Sequence, residues 1–111
     1  MAYDEALADR VREIVAESAQ FSERKMFGGL AFMVAGHLTV AVSHEGGILL
    51  RVDPADNEAL LAKPFCRPME MRGKALDGWL RVDAEGLKTK RQLERWVMRG
   101  VRYAQAQPPR N

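Results

Sequence analysis

The sequence has little cysteine and little histidine, and this scarcity limits the chemistry that the chain can carry. Only Cys66 is a cysteine among 111 residues, and two residues are histidines. One thiol excludes an internal disulfide, and the three candidate ligands share no paired spacing on one predicted element. We therefore predict no metal site, no cofactor and no disulfide framework.

Long apolar runs are also missing. No segment approaches the roughly 18 residues that a membrane-spanning helix needs, and the first residues include Asp4 and Glu5 where a secretory signal carries bases. We therefore predict a cytoplasmic protein. A chain of 111 residues, 47% hydrophobic and 29% charged, suits one globular domain. We assign residues 1–104 to that domain and residues 105–111, with two consecutive prolines, to a flexible tail.

The most informative segment is residues 25–34, an apolar run that contains Gly28 and Gly29. Two adjacent glycines would cost roughly 1 kcal/mol each inside a helix. In a strand they mark a bulge or the close approach of another backbone, so we predict the first, central strand of a sheet. A phosphate-binding loop is the alternative, but apolar strand residues continue on both sides of the glycines.

Periodicity and turn residues predict the other elements and an α+β fold with a mostly antiparallel sheet. The order is helix, three-strand meander, helix, two-strand hairpin, helix. The first half is predicted to contain a helix at residues 4–19, a polar connector at 22–25 and strands at 26–34, 38–43 and 48–52. A short helix from 53 to about 63 and an extended loop at 64–68 follow, and then a hairpin of strands 69–72 and 79–82 around a loop at 73–78. The last helix is capped by Thr89 and Gln92 and reaches Ala104.

Alternation of apolar and polar residues predicts the two faces of the sheet. The residues predicted to face the helices are Leu38, Val40, Val42, Ile48, Leu50, Val52, Leu80 and Val82. The residues predicted on the other face are Thr39, Ala41, Ser43, Leu49, Arg51, Trp79 and Arg81. This second face is only half polar, so we predict that the remaining helix or a second subunit covers it. The interface residues would be Leu49, Arg51, Trp79 and Arg81.

Basic residues dominate the end of the chain. They are Lys88, Lys90, Arg91, Arg95, Arg99 and Arg102. On a helical wheel most of them lie opposite the apolar stripe of the last helix. A positive ridge of this kind suits the phosphates of a nucleic acid, although a solvated helix face is the favoured explanation. We therefore keep nucleic-acid binding as an alternative function.

Two further groups of residues contain side chains that can act in catalysis. Cys66 with His37 or His44 lacks a third residue that would orient the base, so an ordinary half-buried thiol is favoured. Glu70 lies near several arginines of the predicted sheet, where a surface ion pair is the simpler interpretation than a catalytic pair. We therefore predict no catalytic residue, and a small enzyme of unknown reaction remains the last alternative.

Several motifs, taken in their order, resemble the N-terminal domain of the TfoX/Sxy family. They are the phrase Lys25-Met26-Phe27-Gly28-Gly29-Leu30-Ala31-Phe32, residues 46–52, residues 69–73, Gly78-Trp79-Leu80 and a last helix with Trp96 and Tyr103. Full-length members of that family resemble transcriptional coactivators of natural competence and carry a second, helical domain. This chain stops at Asn111, so we expect a short single-domain member. The resemblance implies a non-enzymatic regulatory or interaction domain that binds another protein.

Overall fold

A computed structural model describes residues 3–26 and 28–109. Within them, three α-helices and six strands form an α+β fold, which confirms the predicted class. The elements are α1 (Glu5–Ser18), β1 (Phe21–Met26), β2 (Gly29–Val34), β3 (His37–Val42), β4 (Ile48–Arg51), α2 (Asn57–Leu61), β5 (Cys66–Met71), β6 (Lys74–Val82) and α3 (Lys90–Ala106). The strands form one antiparallel sheet in the order β1-β2-β3-β4-β6-β5. The sheet is therefore continuous, rather than a meander and a separate hairpin.

The predicted polar connector at residues 22–25 is wrong, because this segment forms most of β1. The strand pairs with β2 from Phe21 opposite Val34 to Met26 opposite Gly29. It is an edge strand whose residues 22–25 are all exposed. Charged side chains at such an edge discourage pairing with another chain. They also make the strand polar, so that its sequence lacks the apolar run by which a strand is usually predicted.

The two glycines lie at the start of β2 and not in the middle of a strand. Gly28 is a turn residue with φ +75°, between β1 and β2. A Cβ atom at Gly29 would lie 2.1 Å from the carbonyl oxygen of Val42. The predicted close approach of another backbone is therefore present, whereas β2 is the second strand of the chain and not the first.

The second hairpin also differs from its prediction. The extended loop predicted at residues 64–68 is wrong from Cys66 onward, where β5 begins, and Pro68 fits there because β5 is an edge strand. The loop predicted at residues 73–78 is wrong, since Arg72 and Gly73 make a tight turn with φ +55° and +79°. Gly78, with φ +85°, lies inside β6 and not in a turn.

Helices α1 and α3 begin where their caps predict. The carboxylate of Asp4 accepts a hydrogen bond from the amide of Leu7 at 3.1 Å. Thr89 and Gln92 form the predicted capping box, and α3 continues two residues past the predicted end at Ala104. No helix in the described part of the chain has both the length and the apolarity to span a bilayer.

One face of the sheet packs against the helices and carries the main core. The fully buried side chains there include Phe32, Val40, Ile48, Leu50 and Leu80, together with Val11 and Val15 of α1 and Leu93 and Val97 of α3. Gly100 allows α3 to approach the sheet, because a Cβ atom there would lie 2.8 Å from Leu50 Cδ1. Seven of the eight residues predicted to face the helices belong to this cluster.

Leu38 is the exception, and the prediction for this residue is wrong. Phe32 pairs with Val40 and Met33 pairs with Leu38, so that Thr39 is an extra residue, a β-bulge, in β3. The bulge turns Leu38 to the other face of the sheet, where it packs with a second apolar cluster. Thr39 is itself fully buried, and its hydroxyl donates to the carbonyl oxygen of His37 at 3.2 Å.

Candidate functional site on the open face of the sheet

The second face of the sheet carries its own apolar cluster. The buried centre consists of Ala31, Ala41, Leu49 and Met69. The half-buried side chains around this centre are Met26, Met33, Leu38, Leu76 and Trp79. All nine residues lie on strands, and none lies on a helix. We call this surface the open face.

A groove of about 610 Å³ runs over the open face. Its apolar lining includes four methionines, Met26, Met33, Met69 and Met71. The volume falls within the roughly 300 to 1,000 Å³ that is usual for ligand sites in proteins. Methionine side chains are unbranched and polarizable, so that they adapt to partners of different shape. The groove therefore suits apolar groups that enter from outside.

Two arginines give the groove a positive rim. Arg24 is exposed on β1, and Arg51 is half-buried at the end of β4. The guanidinium of Arg51 lies 5.3 Å from the ring centroid of Trp79 and 5.8 Å from that of Tyr103, in positions that allow cation–π attraction. No carboxylate is found among the described residues that line the groove. The rim therefore favours a group of negative charge.

Three of the four residues predicted as an interface lie together in this groove, namely Leu49, Arg51 and Trp79. Arg81 lies beside it, in a recess of about 140 Å³. Its guanidinium is 3.7 Å from the carboxylate of Glu45 and donates to the hydroxyl of Ser43 at 3.4 Å. The charge of Arg81 is therefore partly compensated, whereas among the residues that the structure describes no carboxylate pairs with Arg51.

The methionines of the groove were missed from the sequence. Four of the six methionines of the chain line it. In the sequence these methionines stand beside polar residues of strands, as in Met69-Glu70-Met71. That pattern does not show which face of the sheet they occupy until the strand pairing is known.

Five of the six basic residues predicted as a ridge lie on α3. Arg95, Arg99 and Arg102 line one recess of about 260 Å³, together with Glu94 and Met98. Lys88 precedes the helix, and Lys90 and Arg91 belong to its first turn, one turn before Arg95. The predicted cations therefore extend along α3 from its first turn to Arg102.

Cys66 and the histidines do not form a catalytic pair with one another. Burial is the main cause that raises the pKa of the Cys66 thiol, which disfavours the reactive thiolate. Strands β6 and β4 lie between Cys66 on β5 and His37 on β3. The Nε2 atom of His37 is instead 2.7 Å from the carbonyl oxygen of Pro108, and the ring of His44 packs beside Gly28.

The ion pair predicted for Glu70 is wrong for the described residues. Glu70 is exposed on β5 opposite Ala75, and the ion pairs found there join other residues. Arg81 pairs with Glu45, as described above, and Arg72 lies in the turn between β5 and β6.

A known protein family matches most of the chain. A search of the curated proteins gives no match. The family model described as the TfoX N-terminal domain matches residues 13–104, which include the six strands and every residue of the groove named above. The resemblance read from the motifs is thus confirmed, and the chain belongs to the TfoX N-terminal domain family.

Proposed function

We propose that this domain is a non-enzymatic regulatory module that binds another protein through the open face of its sheet. The observation that carries the proposal is the methionine-lined groove of about 610 Å³. Large apolar surfaces left on a folded domain usually mark interaction sites. Membership of the TfoX N-terminal domain family supports the regulatory part of the proposal.

The chemistry of the groove selects the kind of partner. Its methionines accept one or two large apolar side chains, and Trp79 offers an aromatic surface of the sort that dominates binding energies. Arg24 and Arg51 at the rim complement carboxylates. The partner is therefore a protein segment with apolar anchor residues beside acidic ones.

The edges of the sheet argue for binding on the face and not for extension of the sheet. At one edge, β1 exposes Glu23, Arg24 and Lys25. At the other edge, β5 contains Pro68, which cannot donate a ladder hydrogen bond. Both features discourage the addition of a strand from a partner.

Affinity capture with matched variants tests the proposal. The wild-type domain is immobilised and exposed to nuclease-treated lysate, and each captured protein is identified and purified. We expect the Trp79→Ala and Arg51→Gln variants to bind that protein at least about 5-fold more weakly, since removal of an anchor side chain at a binding hot spot costs more than about 1 kcal/mol. Arg91→Gln, on the first turn of α3, is the control for charge and should bind normally.

Two results would contradict the proposal. One is a captured protein that binds the Trp79→Ala and Arg51→Gln variants as tightly as the wild type. The other is a partner that is captured from untreated lysate and lost from the nuclease-treated lysate. Circular dichroism of each variant confirms that it is folded before its affinity is interpreted.

A second copy of the chain is the other protein that could occupy the groove. Sedimentation velocity from low to high micromolar concentration separates the two cases. A dimer that Trp79→Ala dissociates assigns the open face to self-association. A protein that stays monomeric at every concentration supports the binding of a different protein to the open face.

A further inference from the structure

A recess on the helical side of the domain combines cations with aromatic rings. Its volume is about 210 Å³, and we call it the Phe65 recess. The lining side chains that carry charge or an aromatic ring are Lys63, Phe65, Arg95, Trp96 and Arg99. Within the described part of the chain, no carboxylate lines this recess. The recess is thus positively charged and aromatic, unlike the apolar groove of the open face.

Phe65 is an outlier in both exposure and backbone geometry. Its side chain is 45% exposed, and its φ of +66° places it in the left-handed region. Large residues with a Cβ atom rarely adopt that conformation, which costs them roughly 1 to 2 kcal/mol. Such strain persists where the surrounding structure enforces it, and it concentrates at functional sites.

The surrounding structure holds the Phe65 ring at the surface. The carbonyl oxygen of Phe65 accepts a hydrogen bond from the amide of Asp83 at 2.8 Å. The ring packs on Gly86, where an added Cβ would lie 2.9 Å from Phe65 Cβ and 3.3 Å from its Cδ2. The carboxylate of Asp83 is itself paired with Arg67 at 2.7 Å. An aromatic surface is therefore fixed in position beside cations that have no acid in the recess to compensate them.

Two of the three cations, Arg95 and Arg99, are carried by α3, and Lys63 follows α2. The guanidinium of Arg99 lies 4.9 Å from the ring centroid of Trp96, and its Nη1 donates to the carbonyl oxygen of Arg95 at 3.4 Å. Arg99 is half-buried, whereas Arg95 and Lys63 are exposed. Arg99 thus forms part of the wall of the recess. The charged groups of Arg95 and Lys63 are exposed to solvent, where an anion can reach them.

We propose that the Phe65 recess binds a nucleoside phosphate, either free or as one unit of a single-stranded nucleic acid. The base stacks on the ring of Phe65, and the phosphate contacts Arg95 and Lys63. An exposed aromatic ring next to cations is the arrangement by which proteins hold unpaired bases. A duplex fits less well, because its bases are already stacked and cannot reach the ring.

Fluorescence anisotropy tests this proposal with a labelled single-stranded oligonucleotide of 12 thymidines. We expect binding at 50 mM salt that weakens as the salt concentration rises. Arg95→Gln should reduce the slope of log affinity against log salt by about 0.7, the value for one phosphate of a single strand. Arg72→Gln, in the turn between β5 and β6, makes the same change of charge away from the recess and should leave the slope unchanged.

The contribution of stacking is tested at Phe65 itself. Asparagine tolerates the left-handed region better than phenylalanine, so Phe65→Asn should keep or raise the melting temperature. It should weaken oligonucleotide binding by about 5- to 100-fold, the usual effect of removing one stacking side chain. Phe65→Tyr keeps the ring and should bind as the wild type does. Phe65→Gly replaces the asparagine variant if the latter does not fold.

Competition by ATP distinguishes the two sources of the ligand. Displacement of the oligonucleotide by micromolar ATP assigns the recess to a free nucleotide, and resistance to ATP assigns it to a single strand. If neither the oligonucleotide nor ATP binds at 50 mM salt, the proposal is overturned. Equal affinity of Phe65→Asn and the wild type also overturns it, since binding would then be electrostatic alone.

Discussion

The two faces of this sheet are built from the same strands but with different side chains. The covered face holds branched aliphatic residues and Phe32 in close packing with α1 and α3. The open face holds alanine, methionine and Trp79 beside arginines. Branched side chains have few rotamers and fill one fixed shape, whereas methionine fits many. The comparison indicates that one face provides most of the stability of the domain, whereas the helices of the described residues leave the other face uncovered.

Leu49 and Leu50 offer the sharpest test of that division, because they are neighbours on β4 and point to opposite faces. Leu50 is fully buried, and Leu49 is 6% exposed. Leu50→Ala should lower the free energy of unfolding by about 3 to 5 kcal/mol, since it leaves a closed cavity. Leu49→Ala should cost about 1 to 2 kcal/mol, because it enlarges a groove that is already open to solvent. Urea denaturation measures both, and equal losses would contradict the comparison.

Gly29 tests the backbone that supports both faces. Gly29→Val should destabilise the domain by about 1 to 3 kcal/mol, because its Cβ would collide with the carbonyl oxygen of Val42 and force β2 away from β3. Thermal denaturation gives the result. Gly46→Ala is a useful reference, since φ there is +96° but a Cβ would meet no atom within 4 Å. An unchanged melting temperature for Gly29→Val would refute the close approach.

A smaller effect is expected where α1 is joined to the edge of the sheet. The guanidinium of Arg12 donates to both carboxylate oxygens of Glu23 on β1, and the second of these contacts, from Nη2, is 2.9 Å. Hydrogen bonding by Arg12 is the main cause that lowers the pKa of Glu23. The pair therefore stabilises the fold above the ordinary glutamate pKa of about 4.3, and this stabilisation is lost as the pH falls through the lowered value.

The size of that loss is modest. Both side chains are partly exposed, at 37% for Arg12 and 29% for Glu23, so solvent screening keeps the pair below about 1 kcal/mol. Denaturation at pH 6 and pH 3 should show that Glu23→Gln has a flatter pH dependence than the wild type. Glu58→Gln on α2 serves as a control for the loss of one carboxylate. Identical profiles for Glu23→Gln and the wild type would contradict the assignment.

The smallest expected effect on stability concerns oxidation of the open face. Met71 is 45% exposed, whereas Met69 is 9% exposed on the same strand. Dilute peroxide should therefore convert Met71 to its sulfoxide first, with almost no change in melting temperature. Peptide mass spectrometry determines the order. Earlier oxidation of Met69 would indicate that the groove is more accessible than the static structure implies.

The alternation of residues predicted most of the covered face, because a sheet buried on one side by helices imposes a strict period of two. It correctly placed Val40, Leu50 and Leu80 on that face. It failed at Leu38, since a bulge changes the phase of the strand without a local signal. It also failed for β1, where the charges of an exposed edge outweigh its apolar residues.

The candidate site was predictable to a similar degree. Leu49, Arg51 and Trp79 were expected on one surface, and the structure places them together in the groove. The methionines were not expected there, because methionine suits a core as well as a surface and only strand register decides between them. Gly78 was predicted to lie in the loop at residues 73–78 because glycine is common in turns, whereas it lies within β6.

The bulge at Thr39 has a consequence in genetic terms. Deletion of the Thr39 codon would remove the extra residue and leave Leu38 next to Val40 in the strand and still opposite Met33. Adjacent strand residues point to opposite faces, so Leu38 would stay on the open face and the groove would keep its apolar wall. The bulge therefore lets the gene carry one extra codon between Gly36 and Val40 without moving Leu38 out of the groove.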